Sequence, residues 1–160
     1  MSTRLPATAR REQLLDVAVG VFAFVLGGRA LWLVPLSFVA MMAVGFLLGI
    51  GQIDVPFVEL GIVLSVIVLG LLVAAAVRLP LLACVLIVGL FALVHGHAHG
   101  AEIPAAASGL AFAIGFLVAT AFLHLAGIGF GLLSQRVSTS QAVRLAGVAI
   151  AACGVYLGIH

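Results

Sequence analysis

Long apolar runs separated by short polar breaks are the feature of this sequence that most limits its possible folds. Five such runs occupy residues 30–50, 57–77, 79–95, 105–133 and 143–159. Because a helix needs about 20 apolar residues to cross the hydrocarbon core of a bilayer, these runs predict membrane-spanning helices. Strands of a membrane barrel would be about 10 residues long with alternating polarity, which is not the pattern here. The sequence therefore predicts an all-α fold, a polytopic transmembrane helix bundle.

The beginning of the chain is its least apolar part. Residues 1–13 are polar, and the first apolar run covers only residues 14–26 and contains Asp16. We expect a polar N-terminal tail over 1–13 and a single transmembrane helical domain over 14–160. The domain has five to six spans, depending on whether the first run crosses. Proline ends runs elsewhere, as at Pro104 between the runs 79–95 and 105–133.

Composition excludes several classes of partner. Charged residues make up 8% of the chain and hydrophobic residues 65%, whereas soluble domains have roughly 25% charged residues. The expected surroundings are therefore a lipid bilayer. All seven basic residues are arginines, and no basic nucleic-acid surface is expected. The nucleotide-binding pattern GxxxxGK[ST] is missing from the sequence, so nucleotide hydrolysis is not expected. Homo-oligomerisation stays open.

Arginines are distributed unevenly over the breaks between runs. If all six runs cross, the loops on one side carry arginine, and those on the other carry acidic residues and a histidine cluster. Because cytoplasmic loops are enriched in positive charge, the arginine side is expected in the cytoplasm of a bacterium, and the chain is a multi-pass protein of the inner membrane. The tail departs from this rule, because its arginines then lie outside. The arginines are Arg29, Arg78, Arg136 and Arg144 in the loops, and Arg4, Arg10 and Arg11 in the tail.

A compact cluster of histidines ends the run at 79–95. His95 and His99 are four residues apart, and Glu102 follows three residues later, so a continuous helix presents all three on one face. His97 then points to the opposite side. If Gly96 and Gly100 unwind the helix, alternate positions converge instead, and the sequence does not choose between these geometries. Imidazole with carboxylate suits borderline divalent ions such as nickel, cobalt, copper or zinc.

Three further ionisable side chains lie in or beside apolar runs. His124 lies inside the run 105–133, where an ionisable group requires a partner or water, and it is a candidate second metal ligand along a path. Asp16 and Glu59 stand at the beginnings of their runs. They are candidate entrance or pathway groups, and each is equally well explained as a solvated carboxylate favoured by the helix dipole. We assign no catalytic residue and expect no enzyme activity.

These residues resemble the hydrogenase/urease accessory permease family HupE/UreJ. The segment from Phe91 to Glu102, FALVHGHAHGAE, is similar to the family motif FHGxAHGxE, and the similarity extends over about residues 17–159. Flanking similarity lies in Gly27–Trp32, Val58–Gly61, Leu79–Pro80 and Ala121–His124. The resemblance implies a secondary permease for nickel, or cobalt, which supplies hydrogenase or urease maturation. The ion is then the substrate, and no permanent cofactor is expected.

The resemblance also implies roles for single residues. His95, His99 and Glu102 match the His, His and Glu of the motif, His97 occupies its variable position, and His124 matches a histidine of a later span. The family's first motif, HxxxxxDH, is missing ahead of residues 17–20, as is the N-terminal signal segment. We therefore expect a shortened, divergent or mis-started member of the family.

Two alternatives to a permease follow from the same residues. The missing first motif favours a non-transporting helical subunit that holds metal and packs against a partner. A membrane haem protein would use His95 or His99 together with His124 as axial ligands. The permease hypothesis predicts that metal flux requires no second protein, whereas the haem hypothesis predicts a coloured protein.

Overall fold

Helices form all of the regular structure in the described part of the chain. This computed structural model describes residues 7–103, 108–136 and 140–159, so Arg4 and the predicted break at Pro104 lie outside the described residues. No strand occurs within those ranges, and the all-α prediction is confirmed. The helices are α1 (Ala7–Leu26), α2 (Ala30–Ile50), α3 (Val58–Ala74), α4 (Leu81–Ala101), α5 (Gly109–Arg136) and α6 (Ser140–Ile159).

Successive helices run in opposite directions through the bundle. At one end, the Arg11 guanidinium contacts the Glu59 carboxylate at the start of α3 (Nη1 to Oε2, 3.1 Å) and the Leu157 carbonyl near the end of α6. At the other end, Arg144 Nε near the start of α6 donates to the Ala74 carbonyl at the end of α3 (2.9 Å). We call the first the histidine end, because α4 finishes there, and the second the arginine end.

Most helices have the length and apolarity of membrane spans. α2, α4, α5 and Gln141–Ile159 of α6 are each long and apolar enough to cross, and α3 is a shorter apolar helix. Large side chains such as Leu47, Leu86 and Phe122 are exposed on the outside of the bundle. Lipid tails can contact these apolar side chains. The helices also satisfy their own backbone hydrogen bonds, as a lipid environment requires. The prediction of a helical membrane bundle is thereby confirmed.

The least apolar helix lies at the centre. In α1, Leu15, Val19 and Phe22 have no exposed surface, and α1 contacts α2, α3, α5 and α6. Its 20 residues rise about 30 Å, close to the thickness of the hydrocarbon core. The first predicted run is therefore part of a helix that extends along the bundle. Because neighbouring helices shield it, α1 carries ionisable side chains away from lipid.

Helix boundaries differ most from the predicted runs at the start of α1 and at the end of α4. α1 begins at Ala7, so the described part of the predicted tail is already helical. The run predicted to end at residue 95 continues as α4 to Ala101, through the histidine cluster and its glycines. α1 ends before Gly27 and Gly28, whose φ values of 68° and 52° suit the left-handed turn that closes many helices.

Glycines allow the closest helix contact in the bundle, between α2 and α4. A Cβ at Gly45 would meet the Leu93 carbonyl oxygen, and one at Gly96 would meet the Met42 carbonyl oxygen. Backbones therefore touch where larger residues would separate them, as in other small-residue interfaces in membranes. This contact holds the histidine-bearing turns of α4 at a defined height in the bundle.

Candidate metal centre

Two pairs of possible ligand residues, one on α1 and one on α4, face each other inside the bundle. Glu12 and Asp16 are one turn apart on α1, and His95 and His99 are one turn apart on α4, as predicted for a continuous helix. His99 Nε2 lies 3.6 Å from Glu12 Oε2, and His95 Nε2 lies 3.8 Å from Asp16 Oδ1. Each histidine therefore faces a carboxylate from the central helix.

α5 supplies a third side to the deeper half of this site. His124 Nε2 lies 4.0 Å from the same Asp16 Oδ1 that faces His95. The Thr120 hydroxyl, one turn earlier on α5, donates to Asp16 Oδ2 over 2.9 Å. Thr120 thus holds Asp16 Oδ2, and Asp16 Oδ1 faces the imidazoles of His95 and His124.

Close contact between α1 and α5 brings Asp16 to His124. A Cβ at Gly20 would meet the His124 carbonyl oxygen, and a Cβ at Gly127 would meet the Val17 carbonyl oxygen. Both glycines lie within one helical turn of a site residue. The backbones of α1 and α5 therefore approach without intervening side chains, directly beside the site.

Unpaired atoms define the centre of the site. Asp16 Oδ1, His95 Nε2 and His124 Nε2 are buried and have no hydrogen-bond partner. Their separations of 3.8 and 4.0 Å exceed a hydrogen bond of about 2.7–3.2 Å. With metal–ligand bonds of about 2.0–2.2 Å, two ligands of one ion lie up to about 4.2 Å apart. A divalent ion between Asp16 Oδ1 and either nitrogen would supply the partner that both atoms lack.

The shallower half of the site has a second possible ligand set. One ligand atom from each of Glu12, His95 and His99 lies within 4.8 Å of the others. The side chains of His99 and Glu12 are 19% and 11% exposed, whereas those of His95 and Asp16 are 0% and 5% exposed. The site therefore leads inward from His99 and Glu12 to a sealed inner group, with His95 shared by both sets.

Aromatic rings enclose the histidines. The Phe38 ring lies 5.5 Å from the His95 ring and 5.0 Å from the His124 ring, centroid to centroid. The His99 ring stacks on the Phe116 ring at a centroid distance of 4.9 Å, and the Phe46 ring also lies 4.9 Å from Phe116. These rings exclude water from the imidazoles and leave the exposed edge of His99 as the shallow boundary of the site.

Three residues predicted from the sequence are not members of these ligand sets. His97 points to the opposite side of α4, as expected for a continuous helix, and its Nε2 lies 2.8 Å from the Ile53 carbonyl oxygen. Glu102 is exposed at the C-cap of α4. Glu59 is exposed and forms an ion pair with Arg11. Asp16, a predicted entrance or pathway group, lies in the inner group.

Sequence reasoning missed two residues of the site. Neither Glu12 nor Thr120 is among the candidate residues predicted from the sequence. The spacing of Glu12 and Asp16, four residues apart, was an available signal because it equals the spacing of His95 and His99. No local signal identified Thr120, since one hydroxyl in an apolar run commonly bonds its own helix.

Loss of the Thr120 hydroxyl is expected to weaken metal binding. In Thr120→Val, Asp16 Oδ2 loses its donor and the carboxylate is no longer oriented, and removing such outer partners weakens metal affinity by about 10- to 100-fold. Calorimetric titration of the purified protein with nickel measures the change. Thr120→Ser keeps the hydroxyl and is the matched control. Equal affinity in the Val variant and the wild type would contradict this orienting role.

Comparison with known proteins places these residues in a family context. The sequence model described as HupE / UreJ protein matches residues 14–157. The chain is also 45% identical over 144 residues to Protein HupE of Rhizobium leguminosarum bv. viciae, covering 90% of this chain and 75% of that protein. No solved structure shows a significant match. The matched range includes all the inner ligands and all but the first turns of α1.

Proposed function

This chain belongs to the HupE / UreJ family, and from that premise we propose that it is a secondary permease for a divalent transition-metal ion. The proposed substrate is nickel, or cobalt, and the proposed role is to supply hydrogenase or urease maturation. The chain then acts as an accessory protein and not as an enzyme. Its proposed location is the inner membrane of a bacterium.

The observation that carries this proposal is the group of unpaired ligand atoms at the centre of the bundle. Buried polar atoms nearly always have a hydrogen-bond partner, and an unsatisfied one costs about 1–3 kcal/mol. Asp16 Oδ1, His95 Nε2 and His124 Nε2 have none. Binding of a cation at this point would recover that cost, which supports a site built for transient occupancy.

The types of ligand favour a transition metal over magnesium or calcium. The inner group offers two imidazole nitrogens and one carboxylate oxygen, from His95, His124 and Asp16. Nickel, cobalt, copper and zinc accept imidazole readily, whereas magnesium and calcium prefer oxygen ligands. Each ligand set also contributes one carboxylate toward the positive charge of such an ion, Asp16 in the inner group and Glu12 in the shallower one.

The ligands become less exposed from His99 and Glu12 to the inner group, and this order suggests the direction in which an ion moves. An ion captured by His99 and Glu12 would pass to His95 and Asp16, then to His124, and leave toward the arginine end. The positive-inside rule places that end in the cytoplasm. Arg11 lies at the histidine end and so departs from the positive-inside rule. Its ion pair with Glu59 gives it a structural role there. A divalent ion that moves inward gains about 4.6 kcal/mol per 100 mV of membrane potential, because each unit charge gains about 2.3 kcal/mol per 100 mV.

A metal-holding subunit is the second candidate function. The enclosed ligand set supports binding whether or not the ion leaves on the other side. Haem is less well supported as the bound group, because an axial imidazole needs an open slot for the porphyrin plane. His95 is instead fully buried against Phe38, His99 and Asp16.

Reconstitution distinguishes the permease from the subunit. Purified protein in liposomes with a nickel-sensitive dye inside and an inside-negative potential is expected to show saturable nickel influx, absent from protein-free liposomes. Magnesium in excess is expected to leave this influx unchanged. If the protein binds nickel in detergent but produces no influx in liposomes, the permease proposal is wrong and the subunit is favoured.

A further inference from the structure

The arginine end of the bundle carries positive charge without acidic residues. All five acidic residues of the chain lie at the histidine end or in the metal centre, whereas the arginine end holds Arg29, Arg78, Arg136 and Arg144. Arg144 donates to the Ala74 carbonyl. Arg29 and Arg78 are exposed, and no partner of either side chain occurs among the described residues. Two cations at this end therefore have no carboxylate beside them.

Arg29 and Arg78 line the same cavity. This cavity of about 290 Å³ lies between the end of α1, the start of α2 and the segment that leads into α4. Arg29 stands at the N-cap of α2, and Arg78 lies three residues before Leu81, the first residue of α4. No acidic side chain is among the described residues of the lining. Because arginine carries its charge at the end of a long side chain, both guanidinium groups can reach one anion in this small space.

The helix ends around the cavity add to this positive charge. α2 and α4 both begin here, and the N-terminal end of a helix carries about half a positive charge. Cys84 N donates to the Pro80 carbonyl oxygen at the start of α4, so the N–H groups of the three residues before Cys84 have no acceptor within the helix. α1 ends at Leu26, and its partial negative charge opposes only one of the two N-terminal ends. The remaining field favours an anion.

The surroundings of the cavity favour a lipid as the source of the anion. Trp32 lies three residues after Arg29, on the same face of α2, and is 64% exposed. Leu82, in the first turn of α4, is 69% exposed. Tryptophan is enriched at the level of the lipid headgroups, next to the apolar surface that contacts the acyl chains. A phosphate at the cavity is therefore expected to belong to a molecule whose chains lie against the outer surface of the bundle.

We propose that the cavity between Arg29 and Arg78 binds the headgroup of an anionic phospholipid. Its phosphate accepts hydrogen bonds from the two guanidinium groups and from the first N–H groups of α4, because arginine and helix N-termini both suit phosphate oxygens. The bound lipid joins the start of α2 to the start of α4, the two helices whose glycine contact holds the histidines at their height. Binding of this lipid does not depend on metal transport, so the two proposals succeed or fail separately.

Fluorescence of Trp32 tests this proposal, because the chain contains one tryptophan and it lies beside the cavity. The full-length chain is reconstituted in phosphatidylcholine vesicles that contain either brominated phosphatidylglycerol or, at the same fraction, brominated phosphatidylcholine. Bromine on the acyl chains quenches tryptophan fluorescence on contact. Each arginine near a membrane surface strengthens the attraction of an anionic lipid by about fivefold. The wild type is therefore expected to prefer the brominated phosphatidylglycerol by at least about 10-fold.

Charge-matched variants separate the cavity from the general charge of this end. Arg29→Gln and Arg78→Gln are each expected to lower the preference by about fivefold, and the double variant to abolish it. Quenching by brominated phosphatidylcholine is expected to stay unchanged, which shows that Trp32 still faces lipid. Arg136→Gln removes the same charge from the same end, outside the described lining, and is expected to keep the preference. Equal quenching of the wild type by both lipids, or equal losses in Arg136→Gln and Arg29→Gln, would overturn the proposal.

Discussion

Asp16→Asn is expected to reduce nickel influx and inner-site affinity by about 100-fold, the upper end of the losses seen even for outer partners of metal ligands. Asp16 Oδ1 is the one atom that faces both His95 Nε2 and His124 Nε2. The amide removes the negative charge of the inner group, and its nitrogen can donate a hydrogen bond to an imidazole lone pair. Both effects exclude a cation from this position.

The measurement is liposome influx combined with calorimetric titration of the same preparation. Ser65→Ala is a suitable control, because it also removes a buried polar group, one that bonds the Ile62 carbonyl within α3 and lies outside the ligand sets. It is expected to keep wild-type influx. A folded Asp16→Asn protein with wild-type influx would show that the ion does not pass between α1, α4 and α5.

Gly96→Ala is expected to destabilise the bundle by about 3 kcal/mol, at the upper end of the range for overpacking. The added methyl would overlap the Met42 carbonyl oxygen, which belongs to the helix backbone and cannot rotate away. α2 and α4 must then separate, and His95 next to Gly96 moves with α4. We therefore expect lower yield of folded protein and loss of metal binding together.

Gly115→Ala is the matched control for this prediction. Gly115 also lies inside a helix, α5, but a Cβ there has no neighbour within 4 Å. Alanine is favoured over glycine in a helix by about 0.5–1 kcal/mol, so this variant is expected to be as stable as the wild type or slightly more stable. Thermal unfolding in detergent measures both variants. Equal unfolding temperatures for Gly96→Ala and Gly115→Ala would contradict the close contact of α2 with α4.

Hydropathy was sufficient to predict the architecture. Long apolar runs leave helices as the stable choice in lipid, because each helix satisfies its own backbone. Boundaries were less well predicted, since α4 continues past residue 95 to Ala101. Hydropathy falls at the histidines, whereas the helix continues because its backbone packs against α2.

Periodicity and resemblance predicted part of the candidate site. The spacing of His95 and His99 placed both on one face of a helix, and the structure has them there. The same reasoning grouped Glu102 with them, although this residue caps the helix end and is exposed. Asp16, which lies in a short apolar run near the start of the chain, was predicted only as an entrance or pathway group.

The class of fold, the family and the histidine face of α4 were predictable from the sequence, because they depend on local hydropathy, motif and helical repeat. The carboxylates that face the histidines were not predictable in this way. Glu12 and Asp16 are about 80 residues from them in the chain, and their approach depends on α1 lying at the centre of the bundle, in contact with α5 at Gly20 and Gly127. A long-range contact of this kind follows from the packing of whole helices, which no local pattern of residues specifies.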